Sequence, residues 1–325
     1  MQNLVNNIIA ANQRIKAVEG GVIETPLDLS GVFSERTGSR FLLKGEHLQR
    51  TGSFKLRGAM NKVLGLNEEQ RKQGIITASS GNHGVATSLA AKIAGVEVTV
   101  YLPENVSSVK HNKIKRNGAN TVLVSGNAVE AENVGHATAD QENKSFVSPY
   151  SDWDVIAGQG TIALELIEQC PDLAAVYVTV GGGGLMAGVG GYLKEVCPNV
   201  DVIACWSDNA KALYHCIEKG EVHEVPETKT LSDGTAGGIE PGAITLEICE
   251  RVIDRNIFIS EAEIASAIRD MARHENFMIE GAAGVALAAG LKDAHKYKGK
   301  KVAVIVCGRN IALDTFLSVM EQDNN

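Results

Sequence analysis

A chain of 325 residues with 44% hydrophobic and 22% charged positions has the length and balance of a globular protein with a sizeable core, which excludes a disordered or fibrous class. A formal net charge of −8 excludes the dense Lys and Arg that neutralise phosphates in nucleic-acid binders, so no nucleic-acid partner is expected. The N-terminus lacks the basic head, apolar core and small-residue cleavage site of a secretion signal, and no apolar run reaches the roughly 18 residues of a membrane span.

The six cysteines, Cys170, Cys197, Cys205, Cys216, Cys249 and Cys307, show no CxxC pair or zinc-ligand spacing and read as reduced, mostly buried thiols. A cytoplasmic protein without a membrane partner is expected.

β-Branched runs alternate with helix-period segments along the chain, the pattern of a parallel sheet covered on both faces, so the predicted fold class is α/β. Strands are predicted at Gly74–Ala78, Val96–Leu102, Asn120–Val124, Ala174–Val180, Val200–Trp206 and Lys301–Val306. Helices such as His83–Ala94 and Leu185–Val196 lie between them.

The first chemical signal is GSFKLRGA, Gly52 to Ala59. A lysine at a helix start is ordinarily solvated. Burial beside Phe54 and near Arg57 would instead lower the Lys55 pKa and make its amine a nucleophile able to form an imine. The second is SSGNHGVA, Ser79 to Ala86, a strand-to-helix turn. Its Ser, Gly and Asn could be plain caps, but the same geometry aims backbone N–H groups at one point, where a substrate carboxylate can sit. His83 reads as structural rather than as a base.

The third signal is GGGGLMAG, Gly181 to Gly188. Four consecutive glycines cost chain entropy, and close backbone approach to a ligand phosphate at a helix N-terminus explains them. A rival reading takes Gly182, Gly184 and Ala187 with Asp208 as a dinucleotide fingerprint. That reading leaves Lys55 and the SSGNHG turn without roles, whereas a phosphorylated aldehyde cofactor employs all three.

Residues 219–242, KGEVHEVPETKTLSDGTAGGIEPG, lack periodicity and predict a long loop of the functional or mobile kind. SEAEI, Ser260 to Ile264, is a capping box that predicts a helix to about His274. Finally CGRN, Cys307 to Asn310, ends the last predicted strand. Cys307 is either a small buried residue or a thiol set against a cofactor ring nitrogen. A thiol with an ordinary pKa near 8.5 would leave that ring largely neutral, which suits β-elimination better than transamination.

In this order and spacing, GSFKLRGA, SSGNHG, GGGGLMAG and CGRN, together with TPL, EHLQRTGSFK, VIAGQGTIALE and IEGAAGVALAA, resemble the fold-type-II pyridoxal-5′-phosphate (PLP) family of serine/threonine dehydratases and serine racemase. The resemblance implies two parallel-sheet domains with the cofactor between them, a large PLP-binding domain of residues 1–50 and 146–325 and a small domain of residues 51–145. It also implies PLP as a Schiff base on Lys55, with Phe54 flanking the ring, Asn82 at the ring hydroxyl and Cys307 at the ring nitrogen. Gly181, Gly182, Gly183 and Gly184 would cradle the phosphate, with Leu185 adding an amide. Ser79, Ser80, Asn82 and His83 match the turn that binds the substrate carboxylate, and in racemases the residue at Ser80 is the acid/base on the face opposite the lysine.

The implied activity is conversion of a β-hydroxy amino acid such as L-serine or L-threonine to a 2-oxo acid and ammonia through an aminoacrylate, by a homodimer. Racemisation is the alternative, or dehydration of a specialised substrate such as 3-hydroxyaspartate, phenylserine or a hydroxyectoine-derived compound. LSDGTAGGIEPGAIT resembles a bacterial subgroup labelled threonine dehydratase-like or hydroxyectoine-utilisation dehydratase. Trp206 and Ala212 stand where animal-type serine racemases carry acidic metal ligands, so no metal is expected in that mode, and Glu280 is left for a site of its own. Arg309 replaces a small residue of many relatives. It joins Tyr150 and Trp206 as a candidate for the side-chain pocket.

Overall fold

Short apolar runs bounded by Gly, Ser and Asn turns become strands covered on both faces, which is why they read as continuous apolar segments. The computed structural model describes residues 2–126 and 128–321; Met1, Asn127 and the last four residues, which the predicted domain ranges include, lie outside the described residues. The strands are β1 (Leu27–Leu29), β2 (Arg40–Lys44), β3 (Ile75–Ala78), β4 (Val98–Pro103), β5 (Asn120–Val124), β6 (Ser145–Phe146), β7 (Leu173–Thr179), β8 (Asp201–Ser207), β9 (Arg255–Ile259) and β10 (Lys301–Ile305).

They form a six-stranded sheet ordered β1-β2-β10-β7-β8-β9 and a four-stranded sheet ordered β5-β4-β3-β6. Every neighbouring pair is parallel except β1 with β2. One apolar core surrounds the larger sheet, and two smaller clusters lie on the faces of the other.

The six predicted strands are all present, Asn120–Val124 with the predicted bounds and the other five with shifted ends. β4 starts at Val98 because the Val96 N–H instead closes the preceding helix on the Ala91 carbonyl. Four strands escape the sequence reading. β6 is two residues long, and β1 is three residues long with an exposed flank. β2 and β9 carry Lys44 and Arg255, charges that hide a strand in sequence.

The helix begun by the Ser260 capping box runs as an α-helix over Glu261–Asp270 and continues as a π-helical turn over Met271–Glu275. Asn276, at φ 59°, ends it. No described helix is long and apolar enough to cross a membrane.

Where β2 meets the helices Lys55–Leu64 and Trp153–Gln169 lies a buried ionic cluster. Arg57 donates to Glu46 at 2.7 Å and to Glu165 at 2.8 Å, and Lys44 reaches Glu165 at 2.7 Å, all four side chains having no exposure. Thr25 Oγ1 and Thr161 Oγ1 complete the shell at 2.6 and 3.1 Å. The cluster fixes the helix Lys55–Leu64 to β2 and to the helix Trp153–Gln169.

Candidate active site

The carboxyl ends of β3, β7 and β10 open on one cavity of about 860 Å³, the place where open α/β sheets put their ligands. Lys55 begins the helix Lys55–Leu64 on the cavity wall. Two backbone contacts set it there: Ser53 forms a β-bridge with Gly308, and the Phe54 N–H donates to the Cys307 carbonyl at 3.0 Å. The Lys55 amine donates to the Pro149 carbonyl at 2.7 Å and stands 5.2 Å from the centre of the Phe54 ring. Enclosure by protein lowers its pKa to about 8, against the partial compensation of Cys307, Glu280 and Glu132.

After β3, Ser79, Ser80 and Gly81 turn into the helix Asn82–Ala94, whose N-cap Gly81 makes no side-chain cap. Its first N–H groups are therefore available to an anion. Asn82 is held on both sides: its Nδ2 donates to the Glu280 carboxylate at 2.9 and 3.1 Å, and its Oδ1 accepts from Asn310 Nδ2 at 2.6 Å. The Glu280 carboxylate also takes the Asn310 N–H at 2.9 Å. Burial pushes the Glu280 pKa up, with the Asn82 contact opposing it. The His83 ring is 2% exposed with Nε2 at 2.9 Å from the Val147 carbonyl, a structural placement, and burial drives its pKa down to about 3.

After β7, Gly181, Gly182 and Gly183 lead into the helix Gly184–Val196, again with no side-chain cap. A Cβ on Gly182 would come within 2.5 Å of the Tyr150 ring. Gly183 sits at φ 89°, and a Cβ there would lie 2.6 Å from Leu213. Only a four-glycine run lets the backbone pass this close and still present its amides. After β10, Cys307 is 2% exposed, and burial pushes its thiol well above the ordinary range.

The cavity thus gathers Phe54, Lys55, Ser79, Ser80, Asn82, His83, Gly181, Gly182, Gly183, Gly184, Leu185 and Cys307, with the loop after β8 contributing Asp233 to Pro241. Tyr150 lines it as well, whereas Trp206 and Arg309 do not. Trp206 is fully buried in the core with Nε1 bonded to Asn256 at 2.9 Å, and Arg309 is exposed. Neither can select a substrate side chain. Ala212 is buried and offers no ligand atom.

Several wall residues went unread in the sequence: Asn310, and the trio Glu132, His136 and Glu240. An acid and a histidine four residues apart on one helix were the available signal for two of them.

A buried reactive amine, an uncapped glycine-rich helix start for a phosphate and a neutral thiol facing the same space fit PLP. The chain matches the family described as pyridoxal-phosphate dependent enzyme over residues 18–308. The L-threonine ammonia-lyase of Thermotoga maritima is 39% identical over 307 residues, covering 94% of this chain and 75% of that protein. The processed threonine deaminase isoform 2 of Solanum lycopersicum superposes with a TM-score of 0.90 at 30% identity, covering 97% of this chain and 93% of its own. Serine racemase from Dictyostelium discoideum gives 0.87 at 34% identity, with coverage of 95% and 99%. On sequence, fold and the contents of the cavity, this chain belongs to the pyridoxal-phosphate dependent enzymes.

Proposed function

We propose that this enzyme is an ammonia-lyase that eliminates water from a β-hydroxy amino acid and regains it when the resulting unsaturated amine is hydrolysed, so that the net products are a 2-oxo acid and ammonia. The observation that carries the reading is the convergence of the Lys55 amine, the Ser79–His83 turn and the glycine cradle on one cavity, and the threonine ammonia-lyase and deaminase relatives support it.

Bound PLP supplies the sink for the electron pair left at Cα. The turn at Ser79, Ser80, Asn82 and His83 holds the substrate carboxylate with its N–H groups, and so fixes Cα above the Lys55 amine. That amine, with a pKa near 8, takes the Cα proton at short range. The amides of Gly181, Gly182, Gly183, Gly184 and Leu185 hold the phosphate. Phe54 would pack beside the ring, Asn82, oriented by Glu280 and Asn310, would meet the ring hydroxyl, and the Cys307 thiol, kept protonated by burial, would face the ring nitrogen without charging it. Loss of the β-hydroxyl then outruns other fates of the Cα electron pair.

Purified protein given L-serine or L-threonine is expected to release oxo acid and ammonia together, and Lys55→Ala to lose both turnover and the visible absorbance of bound cofactor. Wild-type protein that takes up no PLP would sink the reading.

Racemisation is the second reading, because Ser80 shares the cavity with Lys55 and serine racemase is among the structural neighbours. A chiral assay separates the two: Ser80→Ala abolishes racemisation while elimination persists. The same reading divides the chain into a larger unit of residues 1–50 and 146–325 around the six-stranded sheet and a smaller one of residues 51–145. It takes the enzyme to be a cytoplasmic homodimer, a mass that sedimentation measures.

A further inference from the structure

We propose that Glu132, His136 and Glu240 form the side-chain pocket of this active site and select an amino acid that carries an ammonium group beyond its β-hydroxyl. The assignment deepens the ammonia-lyase reading and rests on it.

Glu132 and His136 lie one turn apart on the helix Ala128–Gln141, so their side chains share a face. Glu240 comes to meet them from the long loop after β8. The ligand atoms of the three lie within 4.8 Å of one another, and all three line the cavity that holds Lys55. The segment β6 to Tyr150 fixes them beside the reactive amine. The His136 ring stacks on Phe146 with centroids 3.6 Å apart. Ser148 Oγ donates to Glu240 Oε1 at 3.3 Å, and the Glu240 N–H donates to the Tyr150 hydroxyl at 2.8 Å. Between those residues, the Pro149 carbonyl accepts from Lys55.

Charge decides what fits there. Among the described residues no arginine lines the cavity. Its lysines besides Lys55 are Lys110 and Lys113, directed at Asp233 at 3.4 Å and Asn310 at 3.2 Å. The second carboxylate of 3-hydroxyaspartate would meet the Glu132 and Glu240 carboxyls with no guanidinium to receive it. A threonine methyl would leave the buried Glu132 Oε1 unpaired, since it has no hydrogen-bond partner, while His136 Nε2 stands 3.5 Å from Glu240 Oε2. An ammonium brings three N–H donors to the two carboxylates. Burial and the neighbouring Glu240 push the Glu132 carboxyl up to about 7, a repulsion that a cation between the two acids relieves.

The test titrates the holoenzyme with 2,4-diamino-3-hydroxybutyrate, L-serine, L-threonine and 3-hydroxyaspartate. The change in cofactor absorbance reads binding, and oxo-acid release reads turnover. The diamino acid is expected to bind about tenfold or more tightly than threonine, as a site built for hydrogen bonding discriminates. Glu132→Gln and Glu240→Gln should each shrink that ratio severalfold, with Glu132→Asp restoring part of it, in variants that keep the cofactor absorbance.

Threonine or 3-hydroxyaspartate binding as tightly as the diamino acid to the wild type overturns the proposal, whatever the variants do. Tight calorimetric binding of Zn²⁺ or Mn²⁺ alone, lost in His136→Ala, overturns it in favour of a metal. If the preference holds but no β-hydroxy amino acid yields oxo acid, the ammonia-lyase reading fails and the pocket assignment stands. If threonine is turned over without the preference, the reverse is true.

Discussion

Lys55 owes its chemistry to its surroundings rather than to its type. An amine with an ordinary pKa near 10.4 is neutral in only a few parts per ten thousand at pH 7, whereas one at about 8 is roughly a tenth neutral. Because the shift is downward, the nucleophilic form dominates above about pH 8. Capture of PLP by the apoprotein, followed by stopped-flow absorbance, should therefore accelerate about tenfold from pH 6 to 7 and level off above pH 8. A rate still climbing at pH 10 would show that the amine is not desolvated. Lys55, the serine turn and the glycines were legible because each is a local pattern of a few adjacent residues. Glu280 and Asn310 were not read as the supports of Asn82, because the partners of that side chain lie 198 and 228 residues away and meet it only in three dimensions.

Among the elements, four helices open onto the cavity, at Lys55, Asn82, Gly184 and Gly281, and none of them has a side-chain cap. Elsewhere Ser30, Asn67, Ser107, Asp152 and Ser260 cap their helices with side-chain oxygens, while the helices Ala212–Lys219 and Thr245–Val252 also start without one. The orphan N–H groups at the site are thus left for ligands. Gly183→Ala places a Cβ against Leu213 and forces an L-residue into the left-handed region, at a cost of roughly 1–2 kcal/mol before the clash is counted. Its PLP affinity should fall about tenfold or more by that cost, measured by equilibrium titration of the apoprotein. Affinity within twofold of the wild type would show that the cradle tolerates a side chain. Buried apolar strands and capped helices could be read from periodicity, but β2 and β9 could not, since a buried paired charge and a solvated one look alike in sequence.

At the scale of the molecule, the α/β class and the alternation of elements followed from composition and pattern, while the split into two sheets with a shared cavity needed the strand order. The Arg57 cluster ties the helix Lys55–Leu64 to β2 and to the helix Trp153–Gln169, with Glu46 and Glu165 both bonded to one guanidinium. Arg57→Leu leaves the buried Glu46 without its cation and Glu165 with Lys44 alone, and breaking such a buried pair costs about 3–5 kcal/mol. The urea midpoint should drop accordingly, and an unchanged midpoint would mean that the carboxylates find water or protons cheaply. The bridge between Ser53 and Gly308 reaches beyond stability into synthesis. Lys55 leaves the ribosome long before Cys307, so the wall that desolvates the amine is absent until that distant strand has been made. Such long-range closure is slow, but it means that a half-made chain holds only an ordinary lysine and cannot sequester cofactor before it can use it.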